Sequence, residues 1–345
     1  MKIVSHPCAL RLIRRPVVLA VGFFDGLHRG HQAVINRTVR KARSVNGEAW
    51  VLTFRTHPMK VVAPPLAPAL LMSTRHKLKW LRALGVDGCL VMPFTKKLAG
   101  LDPAAFVKQL RTCVPTLSEV LVGRNWRFGK GGSGTPRIFA KFARERGFRV
   151  RVVPPFLRKG QPVSSTRIRS HVLRGDLEEA AALLGRPFSV LGRVVRGRGV
   201  GRTLGYPTAN LRTQSDILPP CGVYAVHALL GKKLLDGVLN YGIRPTFGSA
   251  ATATPLMELH LFQFRKSLYG KEIEVFFAGR LRGERRFSSL ADLQRQIARD
   301  VRSATRRMAA KNVKETLYTF CGSHYSPAQK TTKQTRESTG NRLPV

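Results

Sequence analysis

Two histidines, His28 and His31, lie three residues apart behind the apolar segment VVLAV at 17–21. The stretch GFFDGLHRGH at 22–31 is typical of a turn that leads from a strand into a helix. Backbone N–H groups at a helix start and the helix dipole both favour an anion, and Gly30 leaves room for phosphate oxygens. Two imidazoles here can donate hydrogen bonds to a triphosphate that gains charge during an in-line displacement. We therefore predict His28 and His31 as catalytic residues of a nucleotide site.

A metal centre is the alternative interpretation of the histidine pair, and a purely structural role is another. Two histidines at this spacing without a third clustered ligand make a poor zinc site. The five cysteines are far apart and form no C-x-x-C pair, which argues against zinc and against a disulfide framework and suits a reducing cytoplasm. These cysteines are Cys8, Cys89, Cys113, Cys221 and Cys321.

The elements that position the histidines follow from the patterning of the first half. Strand-like and helix-like segments alternate there, which predicts a parallel sheet with crossover helices, an α/β Rossmann-like domain. Ligands of such sheets bind at the carboxyl ends of strands, where the turn at 22–31 lies. Strands are predicted at 16–23, 48–54, 88–94, 119–123 and 148–156, and helices at 31–45, 74–85, 102–114, 136–147 and within 171–187.

The second half has a different character, because strand-like segments follow one another without helices between them. Such a series predicts a small antiparallel β-barrel, closed by a C-terminal helix at 289–309. The strand-like segments lie at 189–197, 222–230, 234–242, 256–264 and 273–281. We expect a first domain at 1–183, a barrel domain at 184–321 and a disordered basic tail at 322–345.

The net charge of this sequence is large, but it says little about function. Sixty Lys and Arg against nineteen Asp and Glu give a formal charge of +41. Such a field attracts polyanions, but the excess runs along the whole chain, so a general compositional bias explains it equally well. Nucleic acid binding therefore stays open as a less favoured prediction. No apolar run is long enough to span a bilayer and no signal peptide is visible, so we expect a cytoplasmic protein without a membrane partner.

The motifs occur in an order that resembles the bacterial bifunctional riboflavin kinase/FAD synthetases. In the first half they are GFFDGLHRGH, TFRTHP at 53–58, VGRNWRFGKGG at 122–132 and VSSTRIR at 163–169. In the second half they are GYPTANL at 205–211, LNYGIRPTFG at 239–248 and MELHLFQFRKSLYGKEIEV at 257–275. The resemblance covers residues 15–305.

The resemblance implies that the first domain is a nucleotidylyltransferase that joins FMN to the AMP part of ATP and releases pyrophosphate. It implies that His28 and His31 hold the triphosphate, and that Asn125 and His57 contact a substrate. Alternatives remain: the hydroxyl run at 164–166 also suits an ordinary helix cap, and Asp25 either orients the turn or helps to hold magnesium. The implied ATP and phosphate residues are Gly22, Phe23, Asp25, Gly30, Ser164, Ser165, Thr166, Arg167 and Arg169.

For the barrel domain the resemblance implies riboflavin phosphorylation by ATP and Mg²⁺. Thr208 and Asn210 offer oxygen ligands of the kind that Mg²⁺ prefers. Glu258 corresponds to the base that takes a proton from the accepting alcohol, and Asn240 shapes the flavin or nucleotide pocket. A glycine-rich flap, which includes Gly201 and Gly205, is expected to cover the nucleotide.

One departure from the family pattern concerns Gln263, which stands where the family usually has Asp. We expect this position to affect loop packing or flavin affinity. Two alternative functions are open at this level: a single-activity nucleotidylyltransferase with a non-catalytic barrel, and a basic nucleic-acid-binding protein. The favoured partners are riboflavin, FMN and ATP as small-molecule substrates, with FAD as the product.

Overall fold

A computed structural model describes residues 1–197, 201, 204–244 and 254–309 of the chain. The first half forms a six-stranded sheet in the order β1-β4-β3-β2-β5-β6, and every pair in it is parallel. Its strands are β1 (Lys2–Val4), β2 (Val17–Val21), β3 (Glu48–Phe54), β4 (Gly88–Met92), β5 (Leu117–Gly123) and β6 (Arg149–Val153). The chain leaves β2 in one direction and returns to its other side with β5, so a ligand crevice is expected beside β2.

The central strand β2 is buried along its whole length, as its uninterrupted apolar sequence requires in a sheet covered on both faces. The covering helices are amphipathic, and side-chain oxygens of Ser73, Asp102 and Thr135 cap three of them. The helices are α1 (Arg29–Ser44), α2 (Met59–Val62), α3 (Thr74–Ala83), α4 (Lys96–Ala99), α5 (Pro103–Cys113), α6 (Pro136–Arg144), α7 (Ser165–Arg174) and α8 (Leu177–Leu184). A small hairpin of β7 (Leu157–Arg158) and β8 (Gln161–Pro162) precedes α7.

The second half forms a closed antiparallel barrel in the order β10-β13-β12-β11-β14-β9. A final helix, α9 (Leu290–Ala309), packs Ala304 and Met308 against outward-facing Val223, Ala225 and Val238 of the barrel. The strands are β9 (Ser189–Val195), β10 (Ala209–Thr213), β11 (Gly222–Leu230), β12 (Lys233–Arg244), β13 (Thr254–Leu261) and β14 (Glu272–Arg282).

The predicted parallel sheet, antiparallel barrel and C-terminal helix are confirmed. The sequence did not indicate β1, because three residues carry no readable periodicity and the strand exists only through its pairing with β4. The helices predicted within 171–187 begin earlier in the structure, since α7 starts at Ser165. The domain boundaries stay a prediction, and the tail at 322–345 lies outside the described residues.

The two halves share a buried interface built on α3 and β14. Phe276 of the barrel packs in one core cluster with Trp80 and Leu81, and the Trp80 and Phe276 rings meet edge to face. Glu274 lies at the same place with only 1 % of its surface exposed. Its Oε1 accepts hydrogen bonds from Trp80 Nε1 at 2.9 Å and from Ser189 Oγ at 2.9 Å.

The close contact between β3 and β4 depends on a glycine. A Cβ at Gly88 would lie 2.3–2.4 Å from the indole of its register partner Trp50, whose Nε1 is held by Glu48. We expect Gly88→Ala to lower the free energy of unfolding by about 1–3 kcal/mol, because the indole must move. Urea denaturation measures this, with Gly123→Ala as the control, since a Cβ there meets no atom within 4 Å. Equal effects of the two substitutions would contradict the packing argument.

Candidate active sites

The turn after β2 adopts an unusual backbone conformation. Phe24, Gly26 and Leu27 all have positive φ angles, of 56°, 76° and 43°. His28 then serves as the N-cap of α1, because its Nδ1 accepts a hydrogen bond from the backbone N–H of His31 at 3.3 Å. The turn therefore brings both imidazoles to the start of the helix, where unpaired N–H groups favour an anion.

The two imidazole rings stack on each other, with centroids 3.6 Å apart and planes 19° apart. Gly30 lies close to this pair, since a Cβ there would lie 3.1 Å from the His28 ring. Burial, helped by the charge of Arg186, lowers the pKa of His28 to about 3. Burial also holds the pKa of His31 well below its ordinary value, and the neighbouring His28 and Lys77 act in the same direction. Both rings are therefore neutral near pH 7.

The hydrogen bond at Nδ1 also assigns the tautomer of His28. A nitrogen that accepts from a backbone N–H carries no proton, so the proton of the neutral ring is on Nε2. The ring can therefore donate one hydrogen bond to a phosphate oxygen without bearing a positive charge.

A cavity of about 640 Å³ lies beside the histidine pair, at the carboxyl ends of β2, β5 and β6. It is lined by residues from β2, α1, α7 and the loops after β3, β5 and β6. The predicted residues that line it are Gly22, Phe23, Asp25, His28, Gly30, His31, His57, Asn125, Ser164, Ser165, Thr166 and Arg169. Arg167 is not among the lining residues. Its Nη1 instead donates to the carbonyls of Gln161 and Pro162.

The start of α7 is tied to the turn through Asp25. The Asp25 carboxylate pairs with Arg169 Nη2 at 2.9 Å and accepts from the backbone N–H of Leu71. Ser165 Oγ donates to the Asp25 carbonyl at 3.0 Å, while Ser164 caps α7 by accepting from the N–H of Arg167. The Asp25 carboxylate and its carbonyl thus both contact residues outside the turn, and the choice between orienting the turn and holding magnesium stays a prediction.

Asn125 and His57 lie at the rim of this cavity. Asn125 is exposed in the loop after β5. His57 is half-buried, its ring meets the Phe23 ring edge to face, and its Nδ1 accepts from the N–H of Met59. Burial lowers the pKa of His57, partly opposed by Asp25. Both side chains are therefore placed to contact a ligand.

Sequence reasoning missed the side chains that hold the turn from behind. Lys77 Nζ donates to the Phe23 carbonyl at 2.6 Å, and Gln32 Nε2 donates to the Leu27 carbonyl at 2.7 Å. Arg186 donates to the carbonyls of Gly26 and Leu27. For Lys77 a signal existed: it shares the face of α3 on which Trp80 and Leu81 are buried, and a lysine among buried residues needs a partner.

In the barrel, register places three polar side chains in a row. Glu258 of β13 is directly opposite Asn210 of β10 on one side and Asn240 of β12 on the other. Met257 and Leu259, which flank Glu258 in the strand, belong to the barrel core, so the row faces outward. The half-buried Glu258 thus lies between two amide side chains.

The row opens into a cavity of about 300 Å³ between the barrel and α9. Glu258 and Asn240 line it together with Thr208 and Gly201, while Leu293 and Ile297 of α9 form an apolar wall. Asn210 is not among its lining residues. The predicted Gly205 has a positive φ of 79° and also lies off the lining. Two segments near this cavity in the sequence lie outside the described residues. They are the rest of the glycine-rich flap, at 198–200 and 202–203, and the loop at 245–253.

A second barrel cavity, of about 420 Å³, shares Thr208 with the first. Its basic wall carries Arg265 and Lys266, and Tyr269 adds an aromatic ring. Gln263 stands at the start of this loop with a positive φ of 52°. Two cavities that meet at one hydroxyl residue suit a donor and an acceptor of a transferred group.

A parallel α/β domain with a cavity at a helix start, joined to an antiparallel barrel with paired cavities, is the organisation of a two-domain nucleotide-dependent transferase. Among the residues that the structure describes, no helix has both the length and the apolar character that crossing a bilayer requires. The family model for FAD synthetase matches residues 11–167, and the model for riboflavin kinase matches residues 184–308. The chain belongs to the family of bifunctional riboflavin kinase/FMN adenylyltransferases, and the resemblance drawn from the motifs is confirmed.

Two relatives and one solved structure are similar to this chain over most of its length. The bifunctional riboflavin kinase/FMN adenylyltransferase of Escherichia coli K12 is 39% identical over 284 residues, 82% of this chain and 90% of the relative. The protein of the same name from Bacillus subtilis 168 is 33% identical and covers 84% of this chain and 92% of the relative. A crystal structure titled macrolide-efflux protein from Streptococcus pneumoniae is 26% identical, with a TM-score of 0.77 over 88% of this chain and 99% of that one. Both halves of the fold therefore occur together in an experimental structure.

The low pKa of His28 has a consequence for stability. In the folded protein this pKa is about 3 against an ordinary 6.5, so between these values the unfolded chain binds more protons. Stability should therefore fall as the pH drops from about 6.5 towards 3. We expect His28→Asn, which can keep the helix cap, to reduce the slope of unfolding free energy against pH by up to about 1.4 kcal/mol per pH unit. Urea unfolding at a series of pH values tests this, and a slope equal to that of the wild type would contradict it.

Proposed function

We propose that the two sites divide a two-step synthesis: the barrel converts riboflavin to FMN, and the cavity beside the histidine pair converts FMN to FAD. The membership of the chain in the bifunctional family establishes the two activities. The division between sites is supported by one observation above others. Two separate regions each combine a cavity with groups suited to a nucleoside triphosphate, one at the His28–His31 turn and one around Thr208.

At the first site the FMN phosphate attacks the α-phosphorus of ATP, and pyrophosphate leaves. The neutral His28 donates its Nε2–H to a phosphate oxygen, and His31 contacts the triphosphate beside it. The N-terminus of α7, with Thr166 and Arg169 at the cavity, holds the departing pyrophosphate. No covalent intermediate on the protein is needed, because FMN itself is the nucleophile.

At the second site Glu258 accepts the proton of the primary alcohol of riboflavin while that oxygen attacks the γ-phosphorus of ATP. The cavity under α9, with its apolar wall of Leu293 and Ile297, suits the flavin ring. The basic cavity on the other side of Thr208 suits ATP, because Arg265 and Lys266 attract phosphates. The two ligands would then meet at Thr208.

Magnesium fits this second site as a partner of the ATP phosphates. The described residues contain no cluster of three or more His, Cys, Asp or Glu side chains that would hold a metal alone. Thr208 and Asn210 instead offer hydroxyl and amide oxygens, and a hard cation shared with phosphates needs few protein ligands of this type. Mg²⁺ bound there would neutralise phosphate charge during transfer. The described Cys8, Cys89, Cys113 and Cys221 form no disulfide, which is compatible with the cytoplasmic location that we propose.

Single substitutions should separate the two steps. Glu258→Gln removes the proton acceptor, so FMN formation from riboflavin should fall at least about a hundredfold while FAD formation from supplied FMN persists. His31→Ala should have the opposite effect, because its ring lies only in the first cavity. Incubation with riboflavin or FMN, ATP and Mg²⁺, followed by chromatographic separation of flavins, measures both rates.

Wild-type protein with each substrate is the reference for this pair of variants. If either variant loses both steps equally while remaining folded, the division of labour between the two sites is wrong. If the wild type converts neither flavin, the assignment of function fails altogether.

The basic wall of the second barrel cavity makes a further prediction. Replacing Arg265 and Lys266 together by Gln should raise the KM of the kinase step for ATP roughly tenfold, because two charge-assisted contacts to phosphate are lost. The KM for riboflavin should change little. Steady-state assays of FMN formation at varied ATP and varied riboflavin distinguish the two constants. A rise confined to the KM for riboflavin would show that the ligands assigned to the two cavities must be exchanged.

A further inference from the structure

Arg186 occupies an unusual place between the two domains. It follows Gly185, the C-cap of α8, and lies in the short segment that leads into β9. Arg186 is 3 % exposed, and its guanidinium donates from Nη2 to the Gly26 carbonyl at 3.0 Å and from Nη1 to the Leu27 carbonyl at 3.3 Å. An arginine outside the α/β motifs therefore binds the two backbone carbonyls that directly precede His28.

These two bonds act on the part of the turn that most needs support. Gly26 and Leu27 both have positive φ angles, and such a conformation persists in a non-glycine residue only when its surroundings hold it. A planar guanidinium can bind two carbonyls at once and so fixes their direction as well as their distance. With both carbonyls bound by Arg186, the turn is held directly before the residue that caps α1.

Arg186 is itself positioned by an aromatic residue that the barrel holds. Its guanidinium carbon lies 4.3 Å from the centre of a Trp80 ring, within the range of a cation–π contact. Trp80 Nε1 in turn donates to Oε1 of the buried Glu274 on β14 at 2.9 Å. Glu274 also contacts His76 Nε2 at 2.7 Å. A continuous series of contacts thus runs from the kinase barrel to the turn that carries His28.

We propose that Arg186 is a positioning residue for adenylyl transfer, which fixes the turn before His28 and makes that step depend on the barrel through Trp80 and Glu274. The proposal rests on the assignment of adenylyl transfer to the cavity beside His28. The positive charge of Arg186 also lies behind the turn, where it adds to the electrostatic potential that a triphosphate meets. Loss of Arg186 should therefore impair the second synthetic step and leave the first intact.

The test compares Arg186→Met with wild-type full-length protein in both assays. We expect the kcat of FAD formation from FMN to fall at least about tenfold, while the kcat of FMN formation stays within about twofold. Arg186→Lys, which keeps the charge but not the two-carbonyl geometry, should restore part of the loss. Arg146→Met is the matched control. Arg146 also binds a backbone carbonyl and lies over an aromatic ring, in both cases those of Phe142, and it does not line the cavity.

Trp80→Phe tests the connection to the barrel. It keeps an aromatic ring for Arg186 but removes the N–H that binds Glu274, so FAD formation should fall by a smaller factor than in Arg186→Met. An unchanged rate in Trp80→Phe would overturn the dependence on the barrel. If Arg186→Met fails to fold, Arg186→Lys and Trp80→Phe carry the same comparison.

The outcomes separate this inference from the proposed function. If wild-type protein forms FAD and the Arg186 variants form it equally fast, the positioning role alone is overturned. Arg186 variants in which both activities fall in parallel with the melting temperature would show a merely structural role and also overturn it. A wild type that forms FMN but no FAD would refute the assignment on which the inference rests.

Discussion

The proposed adenylyl-transfer site depends on how the turn between β2 and α1 is held. Its backbone carbonyls at Phe23, Gly26 and Leu27 accept hydrogen bonds from the buried side chains of Lys77, Arg186 and Gln32. A turn with several positive φ angles is not stable by local preference alone, so these contacts determine its shape. Because these carbonyls bind buried side chains of the protein, the helix start and the histidine pair can lie along the cavity.

The proposed kinase site follows from a different constraint, the register of an antiparallel barrel. Residues directly opposite each other on neighbouring strands point to the same face, so Asn210, Glu258 and Asn240 form one row on the outside of the barrel. The barrel core stays apolar beneath them, and α9 covers part of the row to create a cavity. The site is therefore built on the rigid wall of the barrel and closed from one side by a helix.

A polar cluster around Glu274 lies in the buried interface between the two halves. Burial alone would raise the pKa of Glu274, but the charges and hydrogen bonds of His76 and Lys79 hold it below its ordinary value. An ionised carboxylate in such a place is costly unless it is fully paired, so the cluster tolerates little change in the relative position of α3 and β14. This requirement gives the protein a defined geometry between its two halves and brings Trp80 to Arg186.

Local pattern in the sequence determined the elements and most of the site. The apolar run at 17–21 made a central strand, and the alternation around Glu258 placed its side chain opposite the barrel core. Tertiary structure decided which side chains line the cavity: Arg169 does so, whereas Arg167, two residues earlier in the same motif, binds the hairpin before α7.

The supports of the histidine turn were decided only by the folded chain. Lys77 and Arg186 come from positions 54 and 160 residues away from the carbonyls they bind. Sequence periodicity reports which face of an element is buried, but it carries no information about which distant segment lies against that face. The sequence alone therefore determined where the turn with the histidine pair would form, and only the packing of α3 and the interdomain segment decided how that turn is held.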